Sequence, residues 1–295
     1  FRNDKNDCSS TYTRHMWSSG FGTDMENVVL GMQVAMLEKH APLTMTLIDK
    51  PWWHYSANKN DGSNATCLAK DMSCYFLPLT DCKPNARQAD KNPITLIRKY
   101  NKDFMLVYNY VTRPQQWLRK EIYDMVRPME MKLTTNSNNA RCTVVHVRRA
   151  DVVLHGSQAR KYFSMADYVK LLPSTKQQEK HTVLLLTDDA NAIDEALEFH
   201  SDVANWVYFD RPRHRGTAGG WEEQVPSRDP KKEVITILAT LKLVQRCETL
   251  ISSRSKFADA LSRAMGPNTT KLQVDSEMSG NVLDANNSAS AEQLA

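Results

Sequence analysis

Three segments in the second half of the chain combine β-forming apolar residues with polar residues at their carboxyl ends. They lie at residues 143–147, 182–187 and 248–253, and their apolar members are valine, leucine and isoleucine. Stretches with a helical spacing of apolar residues separate them. Alternating strands and helices are typical of a parallel sheet, so we expect an α/β fold with Rossmann-like topology in this half.

Chemically distinctive side chains follow these strands. Ligands of open α/β sheets bind just outside the carboxyl ends of the strands. Arginine presents a planar fork of donors that matches phosphate oxygens, so two adjacent arginines are a candidate diphosphate clamp. The alternative is an ordinary strand end with solvated or salt-bridged arginines. The three polar sets are Arg148, Arg149 and Asp151; Asp188 and Asp189; and Ser253, Ser255 and Lys256.

The second and third sets suit other parts of a nucleotide. Ser255 and Lys256 start a predicted helix, where the helix dipole, a hydroxyl and a cation favour a phosphate. Asp188 and Asp189 can accept hydrogen bonds from ribose hydroxyls or base N–H groups, or they can hold a metal ion. We favour the first role for the carboxylates because the arginines already supply positive charge.

A glycine turn precedes the first helical pattern of the chain. Gly20 and Gly22 lie in this turn, and glycines before a helix let backbone N–H groups approach an anion or a sugar. A plain turn is the alternative, with Thr23 or Asp24 as the side chain that caps the helix.

The remaining signals of the first half concern its architecture. The aromatic residues 52–55 indicate either core packing or a stacking wall for a base or sugar. We predict strands at residues 43–48 and 103–110, and a helix that starts near residue 112 with Pro114 in its first turn.

Polar stretches suggest where the chain divides. Residues 133–141 are the best candidate for a domain boundary, and residues after 265 are polar and low in aromatics. The expected organisation is an N-terminal α/β domain, a C-terminal Rossmann-like domain and a polar tail, at residues 1–132, 133–265 and 266–295.

Composition excludes several classes of protein. With 295 residues and a net charge of +4 without a basic run, the chain does not look like a nucleic-acid-binding protein. It contains no apolar run of 18 residues or more, so we expect no membrane-spanning segment within it. Its start resembles the middle of a protein, so an anchor or signal would lie upstream.

The cysteines point to an oxidising compartment. There are six, none in a CxxC pair, and Asn64, Asn268 and Asn286 each begin a glycosylation sequon. An even cysteine count together with sequons favours a secreted or luminal protein with disulfides. A cytosolic enzyme with scattered thiols is the alternative.

Two motifs resemble the core α-1,6-fucosyltransferases, which transfer fucose from GDP-fucose to the innermost GlcNAc of N-glycans. Residues 110–122 (YVTRPQQWLRKEI) and 146–151 (HVRRAD) occur in the order and spacing of that family. The similarity continues through residues 186–189 (LTDD) and 248–265 (ETLISSRSKFADALSRAM). It covers about residues 8–265 and is patchy in the first hundred.

The resemblance implies a GT-B-like architecture of two Rossmann-like domains, with GDP on the C-terminal one. It implies transfer with inversion, no metal and no cofactor, in the Golgi lumen, through an N-terminal membrane anchor that would precede this chain. The expected partners are GDP-fucose and a glycan or glycoprotein acceptor, with a homodimer left open. The animal members carry a further SH3-like domain, which has no counterpart in this sequence.

The resemblance also assigns roles to individual residues. Arg148 and Arg149 would bind the phosphates of GDP, with Ser255 and Lys256 closing on them. The nucleotide's other expected neighbours are His146 beneath it, Asp188 and Asp189 at the guanosine end, Tyr55 near the base, and Gly20 and Gly22. The pattern best supports a Cys8–Cys67 disulfide, and sequence proximity suggests Cys74–Cys82 next.

The catalytic base is where this chain departs from the family. The family has lysine where this chain has Val152, followed by a glutamate that accepts the acceptor's proton; here no carboxylate occurs between residues 152 and 166. We expect His155 to act as the base, because imidazole can accept a proton near neutral pH. Asp151 is the next candidate, and Arg148 would stabilise the departing GDP. A transfer with weak base assistance also fits.

The missing glutamate keeps two other functions open. One is a related GDP-sugar transferase whose acceptor is a protein or a different glycan. The other is a catalytically inactive relative that binds a glycan or a nucleotide.

Overall fold

The computed structural model describes residues 8–16, 20–47, 51–58, 61–85, 87, 89–90, 104–134, 142–149, 161–173, 180–215 and 229–275. The chain forms two compact units. The first comprises Phe1–Tyr123 and Pro226–Leu238, and the second comprises Asp124–Val225 and Ala239–Ala295. No helix in the described ranges is both long and apolar enough to cross a lipid bilayer.

The second unit is built on a five-stranded parallel sheet. Its strands are β3 (Cys142–Val147), β4 (His181–Thr187), β5 (Ala204–Val207), β6 (Cys247–Ser252) and β7 (Thr270–Gln273). Their order across the sheet is β5-β4-β3-β6-β7, and every neighbouring pair is parallel. Strand β3 is central and buried along its whole length, as the apolar run at residues 143–147 predicts.

Helices connect these strands, as expected for parallel neighbours. They are α4 (Met165–Val169), α5 (Ala190–Phe199) and α7 (Lys256–Met265), and α6 (Pro230–Leu243) runs from the first unit into the second. Val145 and Leu185 of the sheet pack with Ile193 of α5 in one apolar core. The predicted alternation of strand and helix is therefore confirmed in this unit.

Strand β7 was not predicted. It pairs with β6 through partners such as Ile251 and Leu272, although it lies in the segment expected to be a polar tail. Its four side chains are exposed or half-buried, so this edge strand lacks the apolar pattern by which the other strands were found.

The first unit contains a parallel pair of strands, β1 (Tyr12–Met16) and β2 (Leu43–Leu47). Helix α1 (Phe21–Val34) connects them and continues as a π-helical turn over Ala35–Lys39. Two further helices are α2 (Phe104–Val111) and α3 (Gln116–Thr134). Because α3 crosses between the units at Tyr123 and Asp124, the chain divides inside a helix and before the polar break at residues 133–141.

Two local predictions for the first unit are wrong. Residues 103–110 were expected to form a strand, but Phe104, Val107 and Val111 are the buried residues of α2. That spacing of three and four residues is helical, and the run of apolar residues obscured it. Helix α1 is capped by Gly20 without a side-chain hydrogen bond, whereas Asp24 lies inside the helix and accepts a hydrogen bond from Trp53 Nε1 at 2.8 Å.

The disulfides differ from the expected pairs. The structure has Cys8–Cys82, Cys67–Cys74 and Cys142–Cys247, so both Cys8–Cys67 and Cys74–Cys82 are wrong. Between residues 67 and 74 the chain turns back on itself, which brings these two Cα atoms to 5.4 Å. Cys142 and Cys247 open the neighbouring strands β3 and β6 and lie opposite each other in the register.

Candidate functional site

The order of the strands reverses direction at the central strand of the second unit's sheet. From β3 the chain proceeds outward through β4 to β5, and it then returns to the other side of β3 with β6 and β7. The chain therefore leads from β3 to one side of the sheet and from β6 to the other, and such a reversal marks the topological switch point where open α/β sheets bind ligands. His146 and Ser252 are register partners at this edge, so Arg148 and Arg149 follow β3 next to the point where Ser253 and Ser255 follow β6.

Arg148 directly follows β3 and pairs with the carboxylate that follows β4. Its Nη1 donates to Asp188 Oδ2 and, at 3.1 Å, to the carbonyl of Arg149. The Arg148 and Asp188 side chains are 16% and 15% exposed, so this ion pair reaches solvent at the edge of the sheet. The same carboxylate accepts a hydrogen bond from the backbone N–H of Arg149 at 3.1 Å, and it thereby holds the backbone where β3 ends.

Arg149 points into the protein, and its whole residue is 1% exposed. A guanidinium group has five N–H donors, and each of the five has an acceptor here. Nε and Nη2 donate to the Phe163 carbonyl at 3.0 and 2.8 Å. Nη1 donates to Asp189 at 3.3 Å, and Nη1 and Nη2 together donate to the two oxygens of Glu195 at 2.7 and 2.9 Å.

Glu195 lies on α5 and accepts hydrogen bonds from three residues. Besides Arg149, it accepts from the Tyr162 hydroxyl at 3.0 Å and from the backbone N–H of Met165 at 2.9 Å. Burial acts to raise the pKa of the Glu195 carboxyl, but the hydrogen bond and charge of Arg149, with the Met165 N–H, lower it overall. The Tyr162 ring covers the guanidinium of Arg149 at 4.4 Å.

Asp189 serves the backbone as well as Arg149. It is the N-cap of α5, where its side chain accepts a hydrogen bond from the N–H of Asn191 at 3.0 Å. The carboxylates predicted to face guanosine, Asp188 and Asp189, are thus both paired with arginines in this structure. Their contact with the nucleoside stays a prediction, and the salt-bridged alternative for the two arginines describes the structure as it stands.

The second predicted phosphate site is the N-terminus of α7. Ser255 is its N-cap and accepts a hydrogen bond from the N–H of Ala258 at 2.9 Å. Lys256 is the first residue of the helix and is exposed. Backbone N–H groups of the first turn, the helix dipole and the ammonium group therefore lie together where β6 ends, a suitable arrangement for an anion.

His146, the last but one residue of β3, is buried beneath this edge. It is 5% exposed, and its ring packs edge-to-face on Phe257 of α7 with centroids 5.6 Å apart. The imidazole therefore connects the central strand to the helix that carries Ser255.

A third arginine, Arg213, was not predicted. It donates to the carbonyls of Thr187, Phe209 and Arg211 at 3.2, 2.5 and 2.9 Å. Burial, with the neighbouring charge of Arg211, lowers the pKa of its guanidinium to about 10. It ties the loop after β5 to the carboxyl end of β4.

The predicted residues of the first unit form a separate group. Gly20 precedes α1, and its carbonyl accepts hydrogen bonds from the N–H groups of Thr23 and Asp24 at 2.8 and 3.1 Å. The Tyr55 hydroxyl accepts from the N–H of Phe21 at 2.8 Å, beside the half-buried Gly22.

Trp53 and Tyr55 are at most 2% exposed, so the core-packing interpretation of the aromatic residues 52–55 is confirmed for these two. The nucleotide contacts expected of Tyr55, Gly20 and Gly22 stay predictions.

Two of the candidate catalytic residues, Asp151 and His155, lie outside the described residues. Among those that the structure does describe, no group of three or more His, Cys, Asp or Glu side chains could hold a metal ion.

Sequence reasoning missed Glu195, Tyr162 and Arg213. A signal for Glu195 was present, because a buried arginine needs a carboxylate partner. The helix that follows Asp189 offers Asp194, Glu195 and Glu198 as candidates. Choosing among them requires the packing of α5 against the sheet.

By sequence, the chain matches no protein-family profile and no curated protein. By structure, it resembles NodZ, an α-1,6-fucosyltransferase. NodZ soaked with GDP-fucose matches with a TM-score of 0.50 at 14% identity, over 88% of this chain and 94% of NodZ. This likeness shows the fold.

The fold is α/β and GT-B-like, as NodZ has it and as expected from the sequence motifs. Two further NodZ structures, one co-crystallized with GDP and one from Bradyrhizobium, match at 13% and 12% identity with TM-scores of 0.47. Each covers 85% of this chain and 92% of NodZ.

Proposed function

We propose that this chain is a glycosyltransferase that moves fucose from GDP-fucose to a glycan acceptor. The observation that carries the proposal is the pair of arginines after β3, Arg148 and Arg149, which lies at the switch point of a parallel sheet in a NodZ-like fold. In the finer form of the proposal the acceptor is the core GlcNAc of N-glycans, the linkage is α-1,6 with inversion, and the reaction takes place in the Golgi lumen.

The geometry suggests how the diphosphate is bound. The ion pair between Arg148 and Asp188 reaches solvent. A phosphate oxygen can therefore replace the Asp188 carboxylate as the partner of Arg148, since both groups are anions. The N-terminus of α7 and Lys256 supply further donors and charge from the β6 side. These groups stabilise the negative charge that develops on departing GDP, and in this proposal they do so without a metal ion.

The acceptor hydroxyl must lose a proton during the transfer. His155 is proposed as the base, with Asp151 as the second candidate, since the family's glutamate has no counterpart in residues 152–166. That same absence favours two alternatives, in which the chain binds GDP but either transfers to a different acceptor or does not transfer at all.

The deciding experiment measures GDP binding and GDP release. Titration calorimetry with GDP is followed by an assay of GDP release from GDP-fucose, with and without N-glycan acceptors, in EDTA. Acceptor-dependent release supports the proposed transfer. Binding without release on any acceptor supports the alternatives, and absence of GDP binding contradicts all three.

Variants test the assigned residues. Arg148→Ala should weaken GDP binding by about 10- to 100-fold, because a hydrogen bond to a charged group contributes about 1.5–3 kcal/mol. Arg215→Ala is the matched control, since Arg215 is an exposed arginine paired with Asp194 on α5.

His155→Ala should remove most of the turnover and leave GDP affinity unchanged. Full turnover in that variant would show that His155 is not the base.

A further inference from the structure

The two adjacent arginines after β3 have different surroundings. The five donors of Arg149 are all used within the protein, so it can bind a phosphate only by giving up one of these bonds. Arg148 pairs with Asp188 at the edge of the sheet, where solvent reaches it. The arrangement separates a buried arginine from one that a ligand can reach.

Glu195 is what keeps Arg149 in its buried position. It binds both Nη atoms in a two-point contact, which is the strongest geometry available to an arginine. A buried guanidinium without a carboxylate is strongly unfavourable, and the other carboxylate in contact with Arg149, that of Asp189, also caps α5. Glu195 is therefore the main counterion of Arg149.

The position of Arg149 in turn affects Arg148. Both residues depend on Asp188, which accepts from the Arg148 side chain and from the Arg149 backbone N–H. If Arg149 lost Glu195, its side chain would compete for the carboxylates at the strand ends, and the backbone that presents Arg148 would shift.

We propose that Glu195 is a positioning residue of the nucleotide site, which acts through Arg149 to hold the backbone that presents Arg148 to a diphosphate. This inference rests on the proposed function, because it assumes that the ligand at this edge is a nucleoside diphosphate. The Tyr162 hydroxyl and the Met165 N–H also donate to the Glu195 carboxylate, so residues 162–165 help to hold Glu195 in place.

The test compares two neighbouring acidic residues of α5. Glu195→Gln removes the counterion of Arg149, whereas the control Asp194→Asn removes a carboxylate whose partner Arg215 is exposed. Affinities for GDP are measured by calorimetry, and affinities for guanosine, which lacks phosphates, by NMR titration. We expect Glu195→Gln to weaken GDP binding by about tenfold with little change for guanosine, and Asp194→Asn to leave both affinities unchanged.

A double-mutant cycle shows whether Glu195 acts through Arg149. Arg149→Gln alone should weaken GDP binding about as much as Glu195→Gln, and the double variant should be no weaker than either, since residues that act as one unit are not additive. Fully additive losses would mean that Glu195 acts by another route and would overturn the proposal.

A second variant keeps the test valid if Glu195→Gln does not fold. Glu195→Asp retains the charge beside Arg149 but is one methylene too short to reach Arg149, Tyr162 and Met165 together. We expect it to fold and to bind GDP more weakly than the wild type. Three results would each overturn the positioning role. They are wild-type GDP affinity in Glu195→Asp, equal losses of affinity for GDP and guanosine in either variant, and tighter GDP binding in Glu195→Gln. If the wild type itself does not bind GDP, the proposed function fails instead.

Discussion

At the scale of single residues, burial decides what each charged group can do. Residues 148 and 149 are adjacent arginines that the sequence alone does not distinguish, and both were predicted to bind phosphates. The structure leaves Arg148 at the edge of the sheet and surrounds Arg149 with Glu195, Asp189 and the Phe163 carbonyl. The sequence predicted the importance of the two arginines, but it did not predict their partners, which come from segments 14 to 46 positions away.

The Glu195 carboxylate makes stability depend on pH. Burial acts to raise its pKa, but Arg149 and the Met165 N–H lower it further than burial raises it. A carboxyl whose pKa is lower in the folded state stabilises that state above its unfolded pKa of about 4.3. This stabilisation is lost as the pH falls through the lower, folded value.

We therefore expect acid to destabilise the wild type more than Glu195→Gln, which has no carboxyl to titrate at this position. The measurement is the melting temperature by circular dichroism, from about pH 6 down to about pH 3. Parallel curves for the two proteins would contradict the assignment.

At the scale of secondary structure, the buried strands of the second unit and the start of α7 were the elements that the sequence predicted best. The buried strands β3, β4 and β6 were found because an apolar run that ends in polar residues is typical of a strand buried on both faces. Helix α7 begins at Lys256 with Ser255 as its cap, in agreement with the predicted start near Ser255. Helix α2 was mistaken for a strand because a short apolar run fits both periods.

Ser255 allows capping to be separated from phosphate binding. Aspartate caps helices about as well as serine, but its charge would repel a diphosphate at the same N-terminus. We expect Ser255→Asp to keep the melting temperature of the wild type and to lose GDP affinity. Ser255→Ala, in contrast, should reduce stability by about 1 kcal/mol. Wild-type GDP affinity in Ser255→Asp would place the phosphates away from α7.

At the scale of the whole molecule, disulfides connect segments that are far apart in the sequence. Cys142–Cys247 closes a loop with a sequence separation of 105 and joins β3 to β6 at the edge opposite the site. Cys67–Cys74 closes a separation of only 7. In the chain-entropy description, a cross-link stabilises by restricting the unfolded chain, and it does so more strongly for longer loops.

The two bonds should therefore contribute unequally to stability. Replacing Cys142 and Cys247 by alanine should cost about 4.7 kcal/mol of unfolding free energy, the value for a loop of about 100 residues. The same exchange at Cys67 and Cys74 should cost about 2.5 kcal/mol. Urea denaturation followed by circular dichroism measures both, and equal costs would show that restriction of the unfolded chain is not the main contribution.

Local patterns in the sequence were sufficient to predict the α/β class, the central strands of the second unit and the polar residues at their carboxyl ends. These features depend on local patterns, because apolar periodicity and the residues next to a strand are properties of a short segment. The order β5-β4-β3-β6-β7, the disulfide pairs, strand β7 and the partners of Arg149 were decided only by the tertiary structure. Each depends on which distant segments come into contact, and that is set by the packing of the whole unit around β3.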